Sequence, residues 1–245
     1  MMNVIARWVG GNLAALLGFL VDSPILLKTA AANSYGHING FFRLVVFTTT
    51  DGHAVRIHAR DPKPDGCFED LGHNHRAPFA SIMVKGELSF DILEILEPGS
   101  NDASIPAMSP DRKCQDVVQA QLYLDKRESG QFGTILQDKG KVHTVFNEVG
   151  VVVKTGDSYT LDKDTLHRLV VPRGDSFGSL TAVFRRKKLR NVTEMLTAKP
   201  RASLEVDLKD GMDPEVLNKT IVKLCRDFQL DFTSDHPPVT QLINL

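Results

Sequence analysis

Between Phe41 and Phe184 the chain breaks into short runs rich in β-branched and aromatic residues, each closed by a turn signal. The predicted strands are Phe41 to Thr50, Ala54 to His58, Ala80 to Val84, Leu88 to Ile95, Val117 to Leu124, Val142 to Phe146, Val151 to Lys154, Ser158 to Leu161, His167 to Val171 and Gly178 to Phe184. Asp51-Gly52 joins the first two as a tight hairpin turn. Short strands at this spacing, with no helical segments alternating between them, specify an all-β sandwich or barrel and exclude a parallel α/β sheet.

Helical signals are confined to the two ends. From Val4 to Leu20, apolar residues at Ile5, Trp8, Val9, Leu13, Leu16, Leu17 and Leu20 follow the spacing of one helical face. The opposite face lacks the Lys and Arg of an interfacial helix, so this helix is expected to pack on the body of the protein. Near the other end, Asp213-Pro214-Glu215 reads as a helix start, followed by a stripe of Leu217, Ile221, Leu224 and Phe228 suited to packing or dimer formation. Glu97 to Lys113 holds three prolines and little apolar content, and reads as a long loop, either filler or a lid. The expected organisation is a helical segment over 1–36, a barrel over 37–190 with a loop insertion at about 97–116, and an extension over 191–245 with a helix at about 213–228.

A formal net charge of -1 leaves no field to attract a polyanion, so neither nucleic acid nor a membrane is an expected partner, and a small molecule is. The basic run Arg185 to Lys188 stands at the exit of a strand, where charge protects a sheet edge. Cys67, Cys114 and Cys225 are odd in number and widely spaced, which argues against a disulfide framework and fits a reducing, cytoplasmic setting. Secretion is the lesser expectation: Leu13 to Val21 followed by Ala30-Ala31-Ala32 imitates a signal peptide, but Asp22, Pro24 and Lys28 interrupt it. No run is long and apolar enough to cross a bilayer. Glycine-rich phosphate loops, nucleophile elbows, H-E-x-x-H and dinucleotide fingerprints are all absent.

The chemistry concentrates in the histidines. In an extended segment His73 and His75 share one face, about 7 Å apart at Cα, and can converge on one ion. A third ligand must come from elsewhere; His167 is the first candidate and His143 its competitor. Arg56 and His58 also share a face. If that face is the interior, Arg56 can fork onto a substrate carboxylate, but phase alone does not say which side is inside. Tyr159 and Tyr123 offer phenols that either donate to a bound group or anchor to the backbone. Arg76 and Arg168, each next to a proposed ligand, should point away from the ion, and His37, His53 and His236 should face solvent.

His73-x-His75 with Gly86 downstream, and Gly156 with His167, have the order and spacing of the two cupin motifs, and over roughly residues 40–186 the chain resembles that superfamily. Asp162 and Asp164 replace the usual Pro and Gly of the second motif, and both can make a turn. The resemblance implies a cupin-type β-barrel (a double-stranded β-helix, or jelly roll) flanked by terminal helices, holding a divalent metal through His73, His75 and His167. Phe79 stands in the slot of the family's ligating Glu, so the implied site is three histidines without a carboxylate. Such a site leaves the ion its full charge and open positions for an anionic substrate and, with iron, dioxygen.

In this it is similar to the thiol dioxygenases, whose second motif resembles Thr165 to Leu169 followed by Ser179 to Phe184. Their Ser-x-His-x-Tyr triad is not reproduced: Ser179 and Thr181 are present without the tyrosine, and Ala80 stands about where some of them carry a cross-linking cysteine. A thiol is therefore one substrate class among several. The string Gly72 to Ser81, with Asn39-Gly40-Phe41 upstream, is also similar to a group of little-characterised bacterial cupins. The resulting expectation is a mononuclear non-haem iron oxygenase or dioxygenase acting on a small anionic substrate such as a carboxylate. Arg56 and Tyr159 are its candidate catalytic residues, Fe(II) its first metal with Zn, Mn, Ni and Cu as alternatives, and a homodimer its expected assembly. A non-redox metal isomerase or lyase, and a non-catalytic binding protein, are the alternatives.

Overall fold

The computed structural model describes residues 1–36, 41–60, 72–98, 106, 113–126, 134–170, 178–197, 205–206 and 211–230. His37, His236, Cys67 and most of the loop expected at 97–116 lie outside the described residues. Three helices, α1 (Met2–Gly11), α2 (Leu13–Asp22) and α3 (Pro24–Ala31), open the chain, and α4 (Pro214–Asp227) stands near its end. Between them run β1 (Tyr35–Gly36), β2 (Phe42–Thr48), β3 (Ala54–Arg60), β4 (Gly72–His73), β5 (Phe79–Lys85), β6 (Glu87–Pro98) and β7 (Val117–Lys126). They continue as β8 (Thr134–Lys154), β9 (Ser158–Leu161), β10 (Leu166–Val170), β11 (Ser179–Arg185), β12 (Val192–Thr197) and β13 (Glu205–Val206).

The fold is all-β, two antiparallel sheets with helices at both ends, as the sequence leads one to expect. The first sheet has the order β1-β2-β3-β11-β5-β9 and the second β13-β8-β6-β10-β4-β12-β7. Because β7 pairs β8 as well as β12, the strands β8-β6-β10-β4-β12-β7 form a closed hydrogen-bonded circuit, which removes the unpaired edges an open sheet would expose.

Period-two alternation divides the first sheet's residues between two environments. Leu44, Val46, Val55, Ile57, Ala59, Leu180 and Ala182 pack with the four helices in the largest apolar cluster. The residues out of phase with them, among them Arg43, Val45, Arg56, His58, Arg60, Thr181 and Val183, therefore face the second sheet. The helix layer thus fixes which side of β3 is interior.

Three expectations about elements are corrected. The single helix over Val4 to Leu20 is two helices, α1 and α2, bent by 69°. The break falls at Asn12, whose side chain donates to Trp8 O at 2.8 Å. Gly10, just before it, lets α1 approach β5 closely: a Cβ there would lie 2.6 Å from Ile82 Cγ2. Among the described residues no single helix is long and apolar enough to cross a membrane.

The separate strands at Val142 to Phe146 and Val151 to Lys154 are one 21-residue strand, β8. Register shifts against β6 let it bend, so that its first part pairs β7 and its second part β6. Finally β12, absent from the expected strands, is a full member of the second sheet between β4 and β7. At the other end, the Asp213 carboxylate accepts from Glu215 N at 2.8 Å and from Val216 N at 3.4 Å, capping α4.

Candidate metal centre

Strand pairing brings the histidines together. His73 in β4 lies directly opposite His167 in β10, so their side chains leave the same face of the sheet as a cross-strand pair. His75, two residues on from His73, returns to that face. The ring centroids are 4.6 Å apart for His73 and His167, 5.0 Å for His73 and His75, and 4.9 Å for His75 and His167. One nitrogen from each ring lies within 4.8 Å of the other two. His143 is not part of the cluster; it sits in β8 opposite Gln119 and Glu97.

Between the two β4-side ligands, Asn74 points the other way and is buried. It exchanges hydrogen bonds with Glu194: its Oδ1 accepts from Glu194 N at 2.9 Å, its Nδ2 donates to the Glu194 carboxylate, and its backbone N–H donates to Glu194 O at 3.2 Å. The overlooked strand β12 is therefore what holds the H-x-H segment in place.

Burial favours the neutral form of two of these imidazoles, His75 and His167. It pushes His75 well below the ordinary histidine range, helped by the neighbouring His167 and His73 and by Arg43. Burial and His73 likewise bring His167 down to about 3, against a smaller opposing effect of the Thr165 carbonyl, 3.4 Å from Nδ1. A neutral imidazole has one nitrogen with a free lone pair, which is what a metal ion requires. The buried Nε2 of His75 meets no hydrogen-bond partner among the described residues. Three converging imidazoles, one of them with this unpartnered nitrogen, fit a divalent ion.

An aromatic wall closes one side. The Phe79 ring stands edge-on to His75 at 4.7 Å, Phe90 lies 6.5 Å from His167, and Tyr159 lies between the two phenylalanines at 6.1 and 5.5 Å. Phe79 thus stands beside the cluster, and among the described residues no carboxylate joins it.

The other side is cationic. Arg56 shares the interior face with His58 and Arg60, which settles the phase that the sequence leaves open. His58 is lowered well below its ordinary range by burial and then by Arg43, Arg56, Arg60 and His73. Arg60 is 8% exposed, with its guanidinium carbon 5.0 Å from the Phe41 ring. Burial brings Arg60 to about 10, so it remains charged at neutral pH.

Arg43 and Arg60 are interior residues that sequence reasoning missed. Arg60 continues the alternation of Arg56 and His58 and could have been found that way. Arg43 lies opposite His58 in the β2–β3 register, which no local pattern reveals. Tyr159, in β9 opposite Ser81, has its phenol pushed above the ordinary range by burial, with Ser81 and Arg60 beside it.

Other predicted residues lie elsewhere. Tyr123 is 1% exposed and falls in a transverse row with Met195, His73, His167 and Ile92, two strands from His73. Arg76 reaches Asp125 at 3.0 Å and Arg168 reaches Asp91 at 2.8 Å, both away from the cluster. His53 pairs with Asp51 at 3.2 Å and stacks on Phe184 at 5.8 Å.

No known family model matches the chain, and no curated protein matches it. Among solved structures it is similar to CENP-C of Drosophila melanogaster bound to CAL1, at 12% identity and a TM-score of 0.32, over 62% of this chain and 75% of that one. It is also similar to Pac13, a nucleoside dehydratase, at 10% identity and a TM-score of 0.30, over 74% and 88%. Oxalate oxidase in complex with the substrate analogue glycolate matches at 15% identity and a TM-score of 0.28, over 83% and 79%. These likenesses assign neither a family nor an activity; what the chain can do rests on its own histidines, arginines and aromatic wall.

Proposed function

We propose that this chain is a metal-dependent enzyme of the cupin type, a mononuclear non-haem iron oxygenase or dioxygenase acting on a small anionic substrate. The observation that carries the proposal is the convergence of three imidazoles, those of His73, His75 and His167, with no carboxylate among them in the described residues. These three would hold Fe(II). Bound there, the ion would supply Lewis acidity and, with dioxygen as co-substrate, redox capacity.

The remaining work falls to this chain's own groups. Arg56, on the wall shared with His58 and Arg60, meets the anionic group of the substrate with a charge-assisted pair of hydrogen bonds. Tyr159, kept protonated by burial, donates a hydrogen bond to a substrate oxygen. Phe79, Phe90 and the fully buried Met83 exclude water from the same space.

A second proposal is supported by two groups of complementary protonation, His58, held neutral and thus a proton acceptor, and Tyr159, held protonated and thus a donor. These two suit a non-redox isomerase or lyase in which zinc, manganese or nickel occupies the same three imidazoles.

Elemental analysis of protein purified without chelator, beside His73→Ala and His167→Ala, tests both. About one equivalent of iron, lost in both variants, together with oxygen uptake that needs iron and a small carboxylate, is the expected result. Turnover by a metal-free preparation would overturn the proposal. Oxygen-independent turnover with zinc would move it to the second form.

A further inference from the structure

The three histidines are not held alike. His73 and His167 face each other across the β4–β10 ladder, and strand pairing sets their separation. His75 lies past the end of β4, and its backbone N–H is tied only to the turn before β10, donating to Lys163 O at 3.1 Å.

We infer that Arg190 is the positioning residue that sets His75 against the other two histidines. Its side chain makes three hydrogen bonds to two segments. Nε donates to the carbonyl of His75 itself at 3.1 Å, Nη2 to Lys163 O at 2.5 Å, and Nη1 to Asp164 Oδ1 at 2.9 Å. Lys163 and Asp164 lie in the turn that leads directly into Leu166 and His167 of β10. One planar guanidinium therefore spans from the ligand outside the ladder to the chain that delivers the ligand inside it. Its fork fixes both distance and orientation. The single ammonium of a lysine has no such rigid geometry. Groups that hold a metal ligand in place typically contribute 10–100-fold to metal affinity.

Arg76 is the internal comparison. It ties the stretch beside His75 to Asn191 and to Asp125 of β7, with Nε donating to Asn191 O at 3.2 Å and Nη2 reaching Asp125, and makes no hydrogen bond to a ligand residue or to the turn before β10. If tying down the chain beside His75 were enough, losing either arginine would weaken the site alike.

The inference rests on the proposal that the three histidines hold a metal, and the experiment separates the two. Zn(II) affinity is measured by competition with a chromophoric chelator for the wild type, Arg190→Gln, Arg190→Lys and Arg76→Gln. Urea unfolding and the ring resonances of labelled histidines are recorded on the same proteins without metal. Arg190→Gln is expected to weaken Zn(II) binding about 10–100-fold and Arg190→Lys to weaken it measurably, with Arg76→Gln within about threefold of wild type at a similar loss of stability.

In the metal-free spectra the His75 ring moves in Arg190→Gln, while those of His73 and His167 stay. Affinity unchanged in Arg190→Gln, or weakened equally in Arg76→Gln, overturns the inference. A wild type that binds no Zn(II) overturns the metal proposal instead. In that case an unmoved His75 resonance in Arg190→Gln still overturns the positioning role, and a displaced one supports it.

Discussion

Replacing Arg168 by methionine should be among the most destabilising single changes in this protein, although Arg168 points away from the histidine cluster. Its side chain and that of Asp91 are both 0% exposed, with Nε 2.8 Å from Asp91 Oδ2. The second carboxylate oxygen of Asp91 accepts the Gly150 N–H at 2.8 Å, and the Arg168 guanidinium carbon lies 4.7 Å from the centre of the Phe146 ring. Arg168→Met leaves a charged carboxylate in that interior, which costs about 3–5 kcal/mol. For a chain of this size that corresponds to a fall of roughly 6–20 °C in Tm. Asp91→Leu strands the guanidinium and also the Gly150 N–H, which adds about 1–3 kcal/mol. The double variant removes both charges, so it should be milder than either single variant. Urea unfolding of the four proteins checks this. Single losses that add in the double variant, or a loss below about 1 kcal/mol in Arg168→Met, would refute the assignment of a coupled buried pair.

Three further outcomes are expected. Because burial lowers His58, His75 and His167 in the folded chain, the unfolded chain binds more protons below its own histidine value, near 6.5. Stability should therefore fall as pH drops from there towards the folded values, by about 1 kcal/mol from His167 alone at pH 5.5 relative to pH 8, with His58 and His75 adding in the same direction; urea midpoints equal at the two pH values would contradict the burial of neutral imidazoles. Gly86 has a φ of 81°, and a Cβ there would lie 2.2 Å from Gly178 O, so Gly86→Ala should cost about 2–4 kcal/mol, read as a lowered thermal midpoint. If Zn(II) binds the folded state alone with a micromolar Kd, a hundredfold excess over Kd should stabilise the wild type by about 2.7 kcal/mol and His73→Ala by almost nothing; equal stabilisation of both would place the ion elsewhere.

What could be read from the sequence was local. The hairpin at Asp51-Gly52, the cap at Asp213 and the shared face of His73 and His75 each depend on residues a few positions apart, and each is present. What could not be read depended on register between distant strands. Arg43 reaches the interior beside His58 only because β2 and β3 pair as they do. β12 carries its weight through Asn74 and Glu194, 120 residues apart in sequence. The continuity of β8 escaped notice because Asn147 to Gly150 looks like a turn, whereas in the sheet it falls within a strand whose pairing with β6 shifts register.

The interior cations follow from the same helix layer that closes the fold. Val55 and Ile57 are 1% and 0% exposed, packed against the helices, and full burial of such side chains contributes about 1.5–3 kcal/mol each. A one-residue slip of β3 would move them out of that layer and press Arg56, His58 and Arg60 into it, where charge has no place among leucines. The phase of β3 is thus set by apolar contacts with helices that contribute no residue to the cluster. Its consequence appears on the opposite face, where charged arginines and a neutral imidazole meet three more imidazoles across the barrel. Two guanidiniums near this cluster lower its affinity for protons and, by the same repulsion, for a bare cation. They favour a metal that arrives with, or is followed by, an anion. Metal affinity measured with and without a small dicarboxylate should therefore show positive coupling, and a carboxylate that merely strips the metal from the protein would contradict this account.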